Sequence, residues 1–306
     1  LLKGESEMAE TLIGLSQELG QAVSGAGKAV LRVEGRRRLP ASGFAWSADG
    51  WIITANHVLR RDEGIIVGWE GGETIEAELA GRDPLRDLAL LKISPDVVQD
   101  IAFGNLEDIR VGHLVLALGR PGEGVMATLG VISALGSPRS SSSRHPSRQY
   151  LQTDVVMYPG FSGGPLVSAS GVILGMNTSG LMRGASIAIP VSRIERSVKA
   201  LIEHGRIRQG YLGVSLQPVR ISEQHSAEIG QDTGLMVVSA ESGGPAEKAG
   251  VLQGDVLVKI DGGRLTNMDQ LFFALGDEQI GQTLTLEVLR AGKPAEMQVR
   301  IGERER

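Results

Sequence analysis

A mostly β protein with a small αβ domain at its C-terminal end is what this sequence predicts, on three observations. Glycine supplies 42 of the 306 residues, roughly twice its ordinary share, while aromatic residues make up only 4%. Glycine provides the turn conformations that other residues avoid, so this composition favours many short strands joined by tight turns. Between residues 28 and 190 the apolar residues fall in short runs bounded by Gly, Asp or Pro, and helical periodicity is almost absent there. Beyond residue 210 strand-like runs alternate with short helical ones, and 306 residues suit two compact units better than one.

The chain opens with Met8, Leu12, Leu15, Leu19 and Val23 at spacings of three and four, which predicts an amphipathic helix over about 5–24 within a helical segment 1–27. Its apolar face is available for the body of the chain or for a neighbouring subunit. Trp51-Ile52-Ile53-Thr54, Leu88 to Ile93 and Leu114 to Leu118 read as strands, and Leu166 to Leu174 reads as a hairpin turning at Ser170-Gly171. Strands at this spacing argue for antiparallel barrels or a sandwich. The polar stretch from Gly136 to Arg148, with Ser140 to Ser143 and two prolines, interrupts them as a loop.

Pro190 ends the strand region, and Ser192-Arg193-Ile194-Glu195 has the pattern of a capping box for a helix. Ile194, Val198, Leu201 and Ile202 form its apolar stripe, and Gly205 stands at the left-handed C-terminal cap. The first domain therefore runs over 28–204, a linker over 205–210, and a second domain over 211–306. In the second, strands are expected around Tyr211–Val214, Leu235–Val238, Asp255–Ile260 and Thr283–Val288. Short helices are expected near Ala246–Ala249 and near Met268–Leu275, the latter capped by Asn267.

A net charge of −5 gives no nucleic-acid footprint, and the one basic cluster, Arg36-Arg37-Arg38, reads as a solvated loop tip. The absence of cysteine removes disulfides, a thiol nucleophile and thiolate metal sites together. The five histidines lie far apart, so neither a metal nor a cofactor is expected. No apolar stretch approaches the ~18–20 residues that span a bilayer. The chain begins at Leu1 without a methionine, which fits a processed or trimmed product whose leader or membrane anchor lies outside these residues.

The chemistry centres on Ser162 in Pro159-Gly160-Phe161-Ser162-Gly163-Gly164-Pro165-Leu166. A serine hydroxyl becomes a useful nucleophile when a base takes its proton and donors stabilise the oxyanion formed on attack. Glycines on both sides let the backbone bend until successive N–H groups face one small space, and they leave room for a substrate carbonyl. Of the five histidines, His57 in Ile53-Thr54-Ala55-Asn56-His57-Val58 is framed best, at the end of an apolar strand. His113, His145, His204 and His225 sit in polar, surface-like contexts. A third residue must orient the imidazole and stabilise its charged form. Asp87, opening the apolar run Leu88 to Leu91, fits best, with Asp83 and Asp154 as rivals.

Thr54-Ala55-Asn56-His57, Asp87-Leu88-Ala89-Leu90 and Gly160-Phe161-Ser162-Gly163-Gly164-Pro165, in that chain order, resemble the chymotrypsin-like serine proteases. Tyr211-Leu212-Gly213-Val214 resembles the carboxylate-binding loop of a PDZ domain. Gly243-Gly244-Pro245-Ala246 to Gly250-Val251, followed by Gly254-Asp255-Val256, resembles the PDZ core pattern. In combination they resemble the HtrA (Deg) family of protease–PDZ proteins over about residues 28–303.

The resemblance implies two six-stranded β-barrels meeting at a cleft, with His57, Asp87 and Ser162 as catalytic triad and the amides of Gly160 and Ser162 as oxyanion hole. It implies that Met157 walls the primary specificity pocket, favouring cleavage after medium apolar residues. It also implies that Met176, Asn177 and Thr178 pair with an extended substrate, and that the Gly136–Arg148 loop is a sensor loop. The implied function is a serine endopeptidase of protein quality control acting on unfolded or damaged proteins. C-terminal peptides at the PDZ domain would regulate it, the assembly would be a homotrimer, and the location the bacterial cell envelope.

Several residues depart from the family pattern. Phe161 stands where Asn or Asp is usual, Tyr158 and Pro159 replace polar residues, and Ser137 replaces an arginine for which Arg139 or Arg144 would substitute. The loop at Arg36–Pro40 is short. The altered approach to Ser162 motivates an alternative, a catalytically inactive protease-fold scaffold that binds peptides or acts as a chaperone module.

Overall fold

The structure is a computed structural model that describes residues 2–37, 39–95, 101–136, 150–182 and 184–303, giving the backbone alone for 2–9 and for Asp269. The contacts divide the chain into two units, and the division falls between Ile207 and Arg208.

In the first unit, helix α1 (Leu2–Gly27) is a turn longer at its C-terminal end than periodicity predicts, and it buries Ala22 and Ala26. Leu12 and Ile13 remain 62% and 58% exposed, and Leu15 is exposed too. Strands β1 (Val30–Glu34), β2 (Ala41–Ser47), β3 (Trp51–Ala55), β4 (Ile65–Gly68), β5 (Thr74–Asp83) and β6 (Leu88–Lys92) follow and close a barrel in the order β1-β2-β3-β6-β5-β4. A second barrel closes β7 (Leu114–Gly119), β8 (Met126–Leu135), β9 (Leu151–Thr153), β10 (Pro165–Ser168), β11 (Ile173–Thr178) and β12 (Ser186–Pro190) in the order β10-β11-β12-β9-β8-β7. Closure pairs every strand on both sides and leaves no open edge. Phe44, Ile52, Ile53, Ile65, Leu88 and Leu90 fill the core around the first barrel, and Ile132, Leu151, Phe161 and Leu166 that of the second.

Helix α2 (Val191–His204) ends as predicted, with Gly205 in the left-handed region (φ 66°) and its N–H on the Leu201 carbonyl. Its start differs. Pro190 is the N-cap, so Ser192 already lies inside the helix and makes no capping bond. Proline's fixed φ suits the entry to a helix, and it ends β12 and begins α2 in one residue. Ser197 on this helix instead donates to buried Asp83 at 2.6 Å.

The second unit contains β13 (Gly210–Tyr211), β14 (Val214–Arg220), α3 (Glu223–Ile229), β15 (Thr233–Ala240), α4 (Pro245–Lys248), β16 (Val256–Ile260), β17 (Gly263–Arg264), α5 (Met268–Ala274), β18 (Thr283–Arg290), β19 (Lys293–Arg300) and β20 (Gly302–Glu303). The main sheet runs β14-β15-β16-β18-β19, with β17 on β16, and β13 pairs with β20. Helix α5 carries the expected cap, its Asn267 side chain accepting from the Gln270 amide at 3.0 Å. Helix α3 has no sequence expectation behind it; none of its residues is buried, so it carries no apolar stripe to announce it. Asp255, only 2% exposed, takes a two-pronged ion pair from Arg290 (2.8 and 2.7 Å) and a bond from the Leu252 amide. Burial alone opposes its charge, but the Arg290 and Leu252 bonds outweigh that and hold its carboxyl below the ordinary range.

Candidate active site

Strand register brings His57 and Asp87 together. β3 and β6 run antiparallel with Ala55 opposite Leu88. One step beyond that pair, the Asn56 amide donates to the Asp87 carbonyl at 3.0 Å. His57 then sits on the 3-10 turn Asn56–Val58, and Asp87 closes the 3-10 turn Pro84–Arg86. Asp87 takes left-handed backbone (φ 50°, ψ 43°), which is costly for a residue with a Cβ and turns its side chain towards the histidine. Its Oδ1 accepts from the His57 amide at 2.8 Å, and its Oδ2 lies 2.7 Å from His57 Nδ1. A carboxylate on Nδ1 fixes the tautomer, leaving Nε2 as the basic nitrogen. The Thr178 hydroxyl also donates to Oδ2.

The rivals are occupied elsewhere. Asp83 caps the Arg86 amide, pairs with the Arg86 guanidinium at 2.9 Å and accepts from Ser197. Asp154 accepts from the Val131 amide at 2.6 Å.

Ser162, 7% exposed, lies in the loop between β9 and β10, at the junction of the two barrels. The Ser42 amide of the first barrel donates to the Ser162 carbonyl at 3.2 Å. Gly163 adopts φ +91°, and an added Cβ there would strike the Ser42 carbonyl and come within 2.5 Å of Thr54 Oγ1, so only glycine fits. Phe161, which set this loop apart from the family pattern, is fully buried in the second barrel with Tyr158 edge-on to its ring at 5.7 Å. It anchors the loop from beneath, so the unusual residue is a core residue. Among the described residues the amides of Gly160 and Ser162 have no acceptor, whereas those of Phe161, Gly163 and Gly164 are bonded to Tyr158, Asn177 and Phe161.

A support with no sequence signal holds the loop from the other side. The fully buried Ser42 hydroxyl donates to the Gly160 carbonyl at 2.6 Å and accepts from the Arg120 amide at 2.8 Å. The Arg120 guanidinium ties down the carbonyls of Val30 (2.8 Å), Glu123 (2.5 Å) and Gly27 (3.2 Å). Burial pushes its pKa below the ordinary arginine value, against the opposing charge of Glu70.

Met157 is half-buried against the second core. Met176 and Asn177 differ from expectation. Both are buried in β11, which pairs with β10 and β12, and the Asn177 amide and carbonyl are taken by Gly164 and Gly163. They cannot pair with a substrate, and Thr178 serves Asp87 with its hydroxyl. The exposed continuation is Ser179–Gly180. The Ser179 hydroxyl and amide contact Ser162 Oγ at 3.0 and 3.3 Å. Gly180 presses on the other two residues: a Cβ there would lie 2.6 Å from Asp87 Oδ2 and 2.7 Å from His57 Nδ1. This dipeptide thus links Ser162 with the His57–Asp87 pair. The expected sensor loop, with Ser137, Arg139 and Arg144, lies beyond Gly136 outside the described residues.

In the second unit, Tyr211–Val214 leads into edge strand β14. The carbonyls of Leu212 and Gly213 accept from Ala246 and Glu241, and the Tyr211 hydroxyl bonds the Glu241 carboxylate. The amides of Leu212 and Gly213 have no acceptor among the described residues.

Two closed barrels with a histidine–aspartate pair beside a glycine-framed serine are the architecture of a trypsin-like serine protease, here followed by a PDZ-type domain. The family models agree: the trypsin-like peptidase domain matches residues 41–176 and the PDZ domain residues 210–301. A protein of Chlamydia trachomatis named "Probable periplasmic serine endoprotease DegP-like" is 33% identical over 276 residues, 88% of this chain and 55% of its own length. One of the same name from Pseudomonas fulva is 35% identical over 267 residues, covering 85% of this chain and 55% of its own length. The chain thus spans about half the length of these curated relatives. Among solved structures, the HtrA-type protease AlgW with tripeptide superposes with a TM-score of 0.72 at 32% identity, covering 94% of this chain and 98% of that one. The serine endoprotease from Yersinia pestis gives 0.70 at 31%, covering 94% and 98%. The chain belongs to the HtrA family of serine proteases.

Proposed function

We propose that this chain is a serine endopeptidase that cleaves unfolded or damaged proteins, with His57, Asp87 and Ser162 as its catalytic triad. The observation that carries the reading is the paired contact of Asp87 with the His57 amide and Nδ1, next to the glycine-framed Ser162. Ser162 Oγ attacks the peptide carbonyl carbon while His57 Nε2 takes its proton. Asp87 stabilises the imidazolium without becoming protonated. The amides of Gly160 and Ser162 donate to the oxyanion. Collapse of the intermediate breaks the C–N bond, and the His57 proton leaves with the amine. Water then repeats the sequence on the acyl-enzyme, with His57 again as base. Met157 walls an apolar primary pocket, and no acidic residue is assigned to it, so cleavage follows medium apolar side chains.

The second domain receives C-terminal peptides. A peptide adds as a strand to the free edge of β14, with its carboxylate at the open amides of Leu212 and Gly213, and regulates cleavage. The exposed Leu12, Ile13 and Leu15 of α1 support self-association as a homotrimer. The names of the relatives support a bacterial envelope location. Among the described residues no helix is long and apolar enough to cross a membrane.

The test is degradation of a permanently unfolded protein substrate by the full chain, by Ser162→Ala and by a form lacking residues 211–306, each with and without an apolar C-terminal peptide. Peptide-stimulated cleavage is expected from the full chain alone. Cleavage by Ser162→Ala would overturn the triad assignment, and undiminished stimulation after deletion would overturn the regulatory role.

A further inference from the structure

Among the described residues Ser162 Oγ has two hydrogen-bond partners, and both belong to Ser179: the hydroxyl at 3.0 Å and the amide at 3.3 Å. Among the described residues no bond joins Ser162 to His57, whose Nδ1 is already engaged with Asp87. We propose that Ser179 is a positioning residue that holds the Ser162 hydroxyl off its base, so that Ser162 must turn away from Ser179 before it can attack. The inference rests on Ser162 being the nucleophile.

A serine oxygen has one proton to give and two lone pairs to receive with. The Ser179 amide can only donate, so it takes one lone pair, and the Ser179 hydroxyl takes the proton or the second lone pair. General-base catalysis needs the Ser162 proton directed at His57 Nε2. Side-chain torsions occupy discrete staggered wells, so Ser162 changes partner by leaving one well for another, and the contacts to Ser179 are what it gives up.

The Ser179 backbone is well placed to keep that resting contact. Thr178 is buried and its hydroxyl both donates to Asp87 and accepts from the Gly180 amide at 3.0 Å. Gly180 is packed so closely on His57 and Asp87 that a side chain has no room. The Ser179 amide is therefore fixed by its neighbours on both sides. The Ser179 hydroxyl is different. The residue is exposed, its side chain has no other hydrogen-bond partner among the described residues, and it fills no core position. Removing that hydroxyl takes away one of the two resting contacts and leaves the triad, the Gly160 loop and the barrel untouched.

The experiment is the rate at which a fluorophosphonate labels the full chain, measured as a function of probe concentration, for wild type, Ser179→Ala, Ser179→Thr and Ser162→Ala. Loss of one neutral hydrogen bond from the resting state is expected to raise the maximal labelling rate of Ser179→Ala about fivefold. The concentration giving half-maximal rate should not change, because the probe's binding contacts are intact. Ser179→Thr restores a hydroxyl and should label at the wild-type rate, and Ser162→Ala should not label. A faster variant is a result that disturbed folding does not produce. Labelling of Ser179→Ala at or below the wild-type rate overturns the proposal whatever its melting temperature. So does a Ser179→Thr variant as fast as Ser179→Ala, since the hydroxyl would then be irrelevant. Failure of wild type to label at Ser162 overturns the nucleophile assignment itself, and is distinguished from the other failures by the wild-type arm alone.

Discussion

Replacing Ser42 by alanine removes one oxygen that serves two buried backbone groups, the Gly160 carbonyl and the Arg120 amide. The backbone bonds of residue 42, from its amide to Ser162 and from Thr54 Oγ1 to its carbonyl, survive the change. Each buried group left without a partner costs about 1–3 kcal/mol, so the pair together cost about 4 kcal/mol. For a unit of this size each kcal/mol lowers the melting temperature by about 2–4 °C, which gives a fall of roughly 10 °C. The kinetic effect follows from what the Gly160 carbonyl anchors. Loss of an oxyanion donor lowers kcat by roughly 100-fold to 1,000-fold. Ser42→Ala loosens the peptide carrying one donor without deleting it, so a fall in kcat of about tenfold is expected, with KM nearly unchanged. The assay is steady-state cleavage of a chromogenic peptide after an apolar residue, at a temperature well below both melting points, alongside a thermal melt. An unchanged kcat together with a melting temperature lowered by less than about 2 °C would refute the supporting role of Ser42.

Gly180→Ala places a methyl group against His57 Nδ1 and Asp87 Oδ2. Small misplacements of catalytic groups are costly, so kcat for the same peptide should fall roughly 100-fold while the melting temperature changes little. Asp87→Asn keeps the shape of the site but favours the wrong imidazole tautomer, and kcat should drop by about 10⁴ at neutral pH. In the second unit, the carboxyl of Asp255 titrates lower folded than unfolded. The stability it contributes is therefore complete above the unfolded value near 3.9 and is lost as pH falls below it. Arg290→Met removes the paired guanidinium, so as pH falls from about 4 to 2.5 its second-unit melting temperature should drop less steeply than that of wild type. Equal slopes in the two proteins would contradict the linkage.

The motifs around His57, Asp87 and Ser162 were legible because the chemistry is local in the chain: a strand end, an acidic strand opening and a glycine-framed turn each show in a few consecutive residues. The turn at Gly205 and the cap at Asn267 were legible for the same reason. What the sequence hid is non-local. Ser42 and Gly160 are 118 positions apart, and only the meeting of the two barrels gives Ser42 its task. Met176 and Asn177 looked available to substrate because the pairing of β11 on both sides depends on strands far along the chain. Phe161 looked like a defect in the catalytic loop until the second core enclosed it. The Ser192 capping pattern lost to Pro190, which caps the helix before that serine is reached.

Whether His57 and Asp87 activate Ser162 as a nucleophile is read from the position of the fluorophosphonate adduct. Wild-type chain labelled with the probe is digested and sequenced by mass spectrometry, beside His57→Ala and Asp87→Asn treated identically. The phosphonyl mass is expected on Ser162 alone in wild type, with labelling slowed by at least about 100-fold in both variants. An adduct on another residue, or Ser162 labelling that proceeds at the wild-type rate without His57, would contradict it.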